Sequence, residues 1–252
     1  MIISQKKLFF HTASIILEDE KISELFRSNK YSSIVALSYQ KLDLPKFTSF
    51  SKPTLCIDLR KTEEEIMQGF NDTTRNEIRK TYKDEKLHIV MKDTVDIEFY
   101  NLYRNFEFSQ GRVPTSIESL SGMLCFGAYI GGELVSGLYV IQSQPYLRIR
   151  SIFSKRLVVE QKEIYKQIAY ATRRLVWEVC LWGKARNFIS LDMASVNISN
   201  PKTESIARFK MSFGKDLSDE YIYIYKSATF AFFEKLVFVK LWLKRVLFMF
   251  KK

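Results

Sequence analysis

Residues 188–225 read FISLDMASVNISNPKTESIARFKMSFGKDLSDEYIYIY. An apolar run, Phe188, Ile189 and Leu191, stops at Asp192. A polar loop with Asn197, Asn200, Pro201 and Lys202 follows, and then a short amphipathic helix predicted over Thr203 to Met211, closed by Phe213-Gly214. From Tyr221 to Tyr225 tyrosine alternates with isoleucine, the period-two pattern of a half-buried strand. The order is strand, Asp-tipped loop, basic helix, glycine stop, strand. Open α/β sheets place ligand contacts at the carboxyl ends of strands, beside such loops. On spacing alone the segment is either a ligand-bearing loop or an ordinary solvated αβ connection.

Upstream, Lys162 to Trp182 carries Ile164, Ile168, Leu175, Val179 and Trp182 at amphipathic helical spacing, with Gly183 as the expected stop. Before it lies an antiparallel meander. Leu124 to Ile130 runs into Gly131-Gly132, a two-residue hairpin signal, and Leu134 to Gln142 returns. Ser143-Gln144-Pro145 then turns the chain into Tyr146 to Phe153. In that third strand, alternation puts Arg148 and Arg150 on one face. Burying both without partners costs on the order of several kcal/mol. Either acids such as Glu133 or Asp192 neutralise them, or they line a cleft that receives anions.

Farther upstream, Asp96 to Phe108 places Phe99, Leu102, Tyr103 and Phe106 on a core-facing helix. Thr54 to Leu59 reads as a strand leading to Thr62, an N-cap for the helix beginning near Glu63. Asn71 or Asp72 caps a basic helix bearing Arg75, Arg79, Lys80 and Lys83. Arg75 and Arg79 are four apart and share a helical face. With Glu77, Asp84 and Glu85 interspersed, that face is either solvated or anion-binding. Residues 1–53 read as a small partial unit, with a helix over Leu17 to Phe26 and a strand over Ser33 to Leu37. Residues 54–226 form the main domain.

Residues 227–252 differ in kind. Glu234, Lys235, Lys240, Lys244 and Arg245 interrupt the apolar residues, so no uncharged run approaches the ~20 residues that span a bilayer. Phe230, Phe232, Phe233, Trp242, Phe248 and Phe250 lie beside lysines. The pattern fits either an in-plane amphipathic helix on anionic lipid or a helix packed on a partner or on itself.

The chain of 252 residues is 46% hydrophobic with 9 Gly and 5 Pro, enough for a real core and without long flexible linkers. Its formal charge of +11 points to an anionic partner, whether nucleic acid, phosphorylated small molecule or acidic membrane surface. Cys56, Cys125 and Cys180 sit far apart in apolar segments and read as reduced core residues of a cytosolic protein. His11 and His88 are the only histidines and are distant in sequence, which argues against a histidine metal site or a histidine-based triad. The first residues show no signal-peptide pattern. The expected location is the cytoplasm, peripheral at the inner face of the cytoplasmic membrane where the tail docks.

Taken in order, these elements resemble a GNAT-type acyltransferase domain. The specific similarity is to the branch of the Fem aminoacyltransferases, which build peptidoglycan cross-bridges, and to FemAB-like relatives. Three stretches carry it: CIDLRKTEEEIMQGFNDTTRNEIRKT (Cys56 to Thr81), AYIGGELVSGLYVI (Ala128 to Ile141), and SLDMAS followed by IARFKMSFG (Ser190 to Gly214). The implied fold is an α+β or α/β arrangement, a mixed sheet flanked by helices, here with a C-terminal amphipathic helix. A full Fem protein has two GNAT-like halves, and only residues 1–53 precede the matching region here. Acetyl-CoA-dependent relatives cradle the pyrophosphate in a glycine-rich turn at a helix N-terminus. The corresponding KRLVVEQKEIYK (Lys155 to Lys166) has no glycine, as in the Fem branch, which uses aminoacyl-tRNA. The resemblance thus implies no tightly bound cofactor and a donor that is aminoacyl-tRNA or acyl-CoA.

Acyl transfer to an amine needs an uncharged nucleophile, a stabilised oxyanion and a proton for the leaving group. The resemblance casts Lys210, in F-K-x-x-F-G, as the cation near the oxyanion or the donor phosphate; the plain alternative is a surface lysine. Asp192 would orient the acceptor amine or take its proton, and Tyr223 would donate a proton from the closing strand. Arg148, Arg150, Arg75, Arg79, Asn197 and Lys202 are candidates for anionic substrate groups. The expected function is N-acyl transfer to a cell-envelope precursor, such as a lipid- or nucleotide-linked amino sugar or peptide. The rivals are an acetyl-CoA-dependent acetyltransferase of a soluble sugar amine, and a non-catalytic GNAT-like module that binds RNA or lipid.

Overall fold

The computed structural model describes residues 1–197, 199 and 204–236. In chain order the first elements are β1 (Ile2–Lys7), β2 (Phe10–Ile16), α1 (Asp19–Arg27), β3 (Ser33–Ser38) and β4 (Thr48–Asp58). Next come α2 (Glu63–Gly69), α3 (Asp72–Thr81), β5 (Leu87–Lys92), α4 (Ile97–Ser109), β6 (Leu124–Ile130) and β7 (Glu133–Ser143). The last are β8 (Tyr146–Ser154), α5 (Lys162–Lys184), β9 (Ser190–Ser195), α6 (Glu204–Met211) and β10 (Leu217–Lys226). They fall into two compact units, residues 52–219 and residues 1–51 together with those from Glu220.

In the smaller unit β1 and β2 form an antiparallel hairpin, β2 pairs in parallel with β3, and β3 pairs antiparallel with Tyr221–Lys226 of β10. Ala13, Ile15, Ile22, Ile34, Ala36 and Tyr223 make its core. Sequence pattern alone places the closing strand with residues 54–226, whereas residues from Glu220 pack with residues 1–51. The alternation that predicted the strand also explains its partner: Tyr223 fills the core of the N-terminal residues, and Tyr225 packs edge-on against Phe26 at 4.8 Å. Residues 228–236 are helical, and Phe230 and Phe233 each lie 5.2 Å from the Phe10 ring. The rest of the expected tail helix, 237–252, lies outside the described residues.

In the larger unit the strand order is β4-β9-β8-β7-β6-β5. The β9/β8 pair is parallel; β4/β9 and the pairs from β8 to β5 are antiparallel. Gly131 (φ 59°) and Gly132 (φ 85°) supply the left-handed turn that the β6–β7 hairpin requires. Strand alternation then sends the two faces of β6 to different helices. Leu124, Phe126 and Ala128 join the core that α5 covers, while Tyr129 donates to Glu98 of α4 at 2.7 Å.

The caps form as the sequence implied. Thr62 and Glu65 make a reciprocal capping box on α2, and Asn71 accepts from the Thr74 N–H at 2.8 Å. Gly183 differs. The helix runs through it to Lys184, and a Cβ there would stand 2.6 Å from Leu147 Cδ1 and 2.9 Å from Leu59 Cδ1. Its role is close approach of α5 to the sheet, and the left-handed residue that ends the turn is Asn187 (φ 60°). Among the described residues no helix is long and apolar enough to cross a membrane.

Candidate active site

The two central strands of the larger unit are paired for only three residues. Tyr146, Leu147 and Arg148 of β8 face Ser190, Leu191 and Asp192 of β9, and there the pairing ends. The residues at that point explain why. Asp192 is fully buried, its Oδ2 bound by the Arg148 guanidinium. Its Oδ1 accepts from the Thr54 hydroxyl at 2.5 Å and from the Ala194 N–H at 2.7 Å. The bond to Ala194 closes a tight local turn, and Ala194 takes a left-handed φ of 62°, rare for a residue with a Cβ. Two residues of β9, Met193 and Ala194, are thereby bulged between the Cys56–Asp192 and Thr54–Ser195 pairs. Past Asp192, β9 no longer pairs with β8.

β8 is irregular as well. Tyr139 pairs with Ser151 and Val140 with Ile149, so Arg150 is an extra residue bulged from the ladder. The expectation that Arg148 and Arg150 share one face assumed a regular strand. With the bulge, Arg148 reaches Asp192 while Arg150 is exposed toward the opening.

A cavity of about 680 Å³ occupies the gap, bounded by α4, β8, the turn after β8, α5, the end of β9 and α6. Among the described residues, five cationic side chains reach it: Arg112, Arg150, Arg156, Arg173 and Lys210. Glu107 is the carboxylate among its described lining residues, and Arg112 holds it with two bonds of 2.9 and 2.7 Å. Tyr103, Phe106, Ile152 and Phe209 supply apolar wall.

Arg173 projects from α5 between the Phe209 ring, 5.4 Å away, and Glu77 of α3, 3.0 Å away. Burial lowers its pKa; Glu77 opposes that shift, and the neighbouring Arg156 adds to it. Arg156 stacks on Tyr165 at 4.1 Å, and its Nε is buried with no hydrogen-bond acceptor among the described residues. Two guanidiniums close enough to perturb each other, one with an unmet donor, favour an oxyanion between them. Lys210, on α6, donates to the Ser195 carbonyl at 2.9 Å and so ties the helix to the end of β9.

Of the residues singled out from the sequence, Arg150 and Lys210 line the cavity, while Arg148 and Asp192 pair with each other one position before its lining residues Ile149 and Met193. Arg75 serves its own neighbourhood, pairing with Asp72 and donating to the carbonyls of Phe70 and Gln68 at 2.5 and 3.0 Å. Arg79 is exposed on α3, and Asn197 is exposed just after β9. Tyr223 belongs to the smaller unit, where its hydroxyl accepts from the Leu42 N–H at 2.5 Å and donates to the Gln40 carbonyl at 3.2 Å. Lys202 lies outside the described residues. Arg156, Arg173 and Arg112 escaped notice in the sequence. Arg156 stands inside the stretch Lys155 to Lys166, read there only for its missing glycines. Among the described residues no group of three or more His, Cys, Asp or Glu is placed to hold a metal ion.

No family model and no curated protein matches the sequence. Solved structures do match. FemX superposes with a TM-score of 0.59 at 10% identity, over 88% of this chain and 83% of that one. A C-terminal DUF2156 domain from Agrobacterium fabrum, assigned to a lysylphosphatidylglycerol synthetase, gives 0.55 at 11% identity over 92% and 82%. L-PGS from Bacillus licheniformis gives 0.53 at 13% identity over 90% and 81%. Identities this low speak to fold, and the mixed sheet with its helices agrees with that of these structures. The chain therefore has the GNAT-like fold, in the form found in FemX and the lysylphosphatidylglycerol synthetase domain.

Proposed function

We propose that this chain is an acyltransferase that takes an acyl group from a phosphate-bearing donor, aminoacyl-tRNA before acyl-CoA, and passes it to an amine of a cell-envelope precursor. The observation that carries this reading is the cationic cavity at the parting of β8 and β9. Its volume of about 680 Å³ suits a nucleotide-sized group, and Arg150, Arg156 and Arg173 offer phosphate-binding donors. The glycine-free segment Lys155 to Lys166 lacks the backbone cradle for a pyrophosphate and leaves the work to side chains. That favours tRNA over CoA. The choice of a cell-envelope acceptor rests on the resemblance to the Fem branch and on the likeness to a domain named for lysylphosphatidylglycerol synthesis.

In this reading the amine attacks the acyl carbonyl directly, with no covalent enzyme intermediate. Arg150, Arg156 and Arg173 hold the donor's phosphates, and the carbonyl faces the end of β9. Lys210 places its ammonium where negative charge develops on the carbonyl oxygen. Glu107 is held by Arg112, so as the amide bond forms and the acyl bond to the donor breaks, the amine's proton passes to water and the departing donor oxygen or sulfur takes one from water. Asp192, fully buried and bound on both oxygens, acts as a positioning residue: it fixes the turn past which β9 no longer pairs with β8.

Equilibrium binding of charged tRNA, uncharged tRNA and acetyl-CoA to the full chain tests the donor. Preference for charged over uncharged tRNA is expected. Saturable acetyl-CoA binding with indifference to tRNA charging would make it an acetyltransferase of a soluble amine. Equal, salt-steep binding of both tRNAs without transfer would mark an RNA-binding module.

A further inference from the structure

The hairpin of the smaller unit ends in two large apolar side chains that its own packing leaves uncovered. Leu8 is 66% exposed and Phe9 89%. Leu8 has a left-handed φ of 54°, which turns the chain sharply and presents both residues at the tip. A second exposed apolar pair stands on the helix that packs against Phe10. Phe10, the first residue of β2, packs against Phe230 and Phe233, and this places the helix over residues 228–236 beside the hairpin turn. That helix turns Phe232 (65%) and Leu236 (52%) outward.

Acidic residues cluster at one end of the same unit, where Lys21 and Lys41 also stand exposed. The register runs from Ile2–Ile15 at one end of the hairpin to Lys7–Phe10 at the turn. Glu18, Asp19 and Glu20 follow β2 at the end away from the turn, where Glu18 pairs with the amino terminus. At the turn end stand Lys6, His11, Lys30 and Lys235, all exposed, and Lys226, which neutralises Glu234. In sequence, residues 237–252 continue the trend with Lys240, Lys244, Arg245, Lys251 and Lys252 and no acid. Large apolar side chains at the tip with lysines behind them match a bilayer interface, where aromatics enter the acyl boundary and ammonium groups meet anionic headgroups.

We infer that the turn end of the smaller unit docks on an anionic lipid surface, with Leu8 and Phe9 as an insertion tip beside the helix that begins at residue 228. This surface is independent of acyl transfer and stands or falls apart from it.

Two measurements on the full chain test it. Cosedimentation with vesicles of phosphatidylcholine and phosphatidylglycerol should exceed that with phosphatidylcholine alone. A Leu8→Ser/Phe9→Ser double variant should lose affinity for the anionic vesicles by roughly tenfold or more. In a Phe9→Trp variant, brominated acyl chains in the anionic vesicles should quench more emission than in the wild-type chain, whose own tryptophans are Trp177, Trp182 and Trp242. Unchanged vesicle affinity in the double variant would overturn the inference, and so would equal binding to both vesicle types. A concentration-dependent dimer that the double variant abolishes, without lipid quenching, would show instead that a second copy covers the patch, and would also overturn it.

Discussion

Asp192 shows how one side chain can serve a site without touching what binds there. It is fully buried and balanced by Arg148. Changing one partner of such a pair is costly because the other charge stays behind. Asp192→Asn is expected to lower unfolding stability in urea by about 2–4 kcal/mol, and Arg148→Met combined with Asp192→Leu to recover part of that loss. Full additivity of the single Arg148→Met and Asp192→Leu effects in the double variant would show that the pair is not coupled. Lys210 is a different case, since it lines the cavity and also braces Ser195. Lys210→Met keeps the aliphatic stem. It should reduce turnover by roughly 100-fold or more while leaving the thermal midpoint nearly unchanged. Equal losses in both would make Lys210 a strut. From sequence, Asp192 was legible as the residue that ends an apolar run, and Lys210 through the F-K-x-x-F-G resemblance. The Asp192–Arg148 bond links residues 44 positions apart, so it stood only as one of two alternatives for Arg148.

At the scale of elements, the caps, the Gly131-Gly132 hairpin, the long amphipathic helix and the strand after it were legible, because each is written in local chemistry. The bulges were not. A strand with one extra residue has the same composition as a regular one, and only pairing with β7 shows that Arg150 is the surplus residue. β5 was missed for a related reason: its side chains are mostly half-buried at the sheet edge and show no sharp alternation. Gly183 was misread because a glycine near a helix end has two explanations, a left-handed cap and close packing, and a sequence cannot separate them. The structure makes a test available. Gly183→Ala should destabilise by about 1–3 kcal/mol, since the new methyl meets Leu147 and Leu59. A stabilising effect, as expected for alanine in an uncrowded helix, would contradict the close approach.

Across the whole molecule, the +11 charge is a poor guide by itself, because several basic residues form local pairs and caps. What the structure adds is where described cations outnumber acids, at the cavity of one unit and at the hairpin turn of the other. Cysteine reactivity reports on the core. Burial raises the Cys180 thiol above its ordinary value and pushes Cys125 up to about 12, so both stay protonated at pH 8. Thiol titration of the folded chain at pH 8 should therefore modify Cys56 alone, with Cys125 and Cys180 reacting on unfolding. These groups bind their protons more tightly when folded, so their contribution to stability falls as pH rises past the ordinary thiol value of about 8.5. Fast labelling of all three cysteines in the native state would contradict the packing around α5 and β6.

In the proposed function the opening between β8 and β9 receives the phosphates of an acyl donor. The most direct test of this is the affinity of aminoacyl-tRNA for the wild-type chain and for an Arg150→Ala/Arg156→Met variant, measured across a salt series with thermal midpoints alongside. Affinity is expected to fall by roughly tenfold per arginine, with a shallower salt dependence and little change in midpoint. A variant that binds as tightly as the wild type with the same salt slope, or a wild-type chain that binds neither aminoacyl-tRNA nor acyl-CoA, would contradict it.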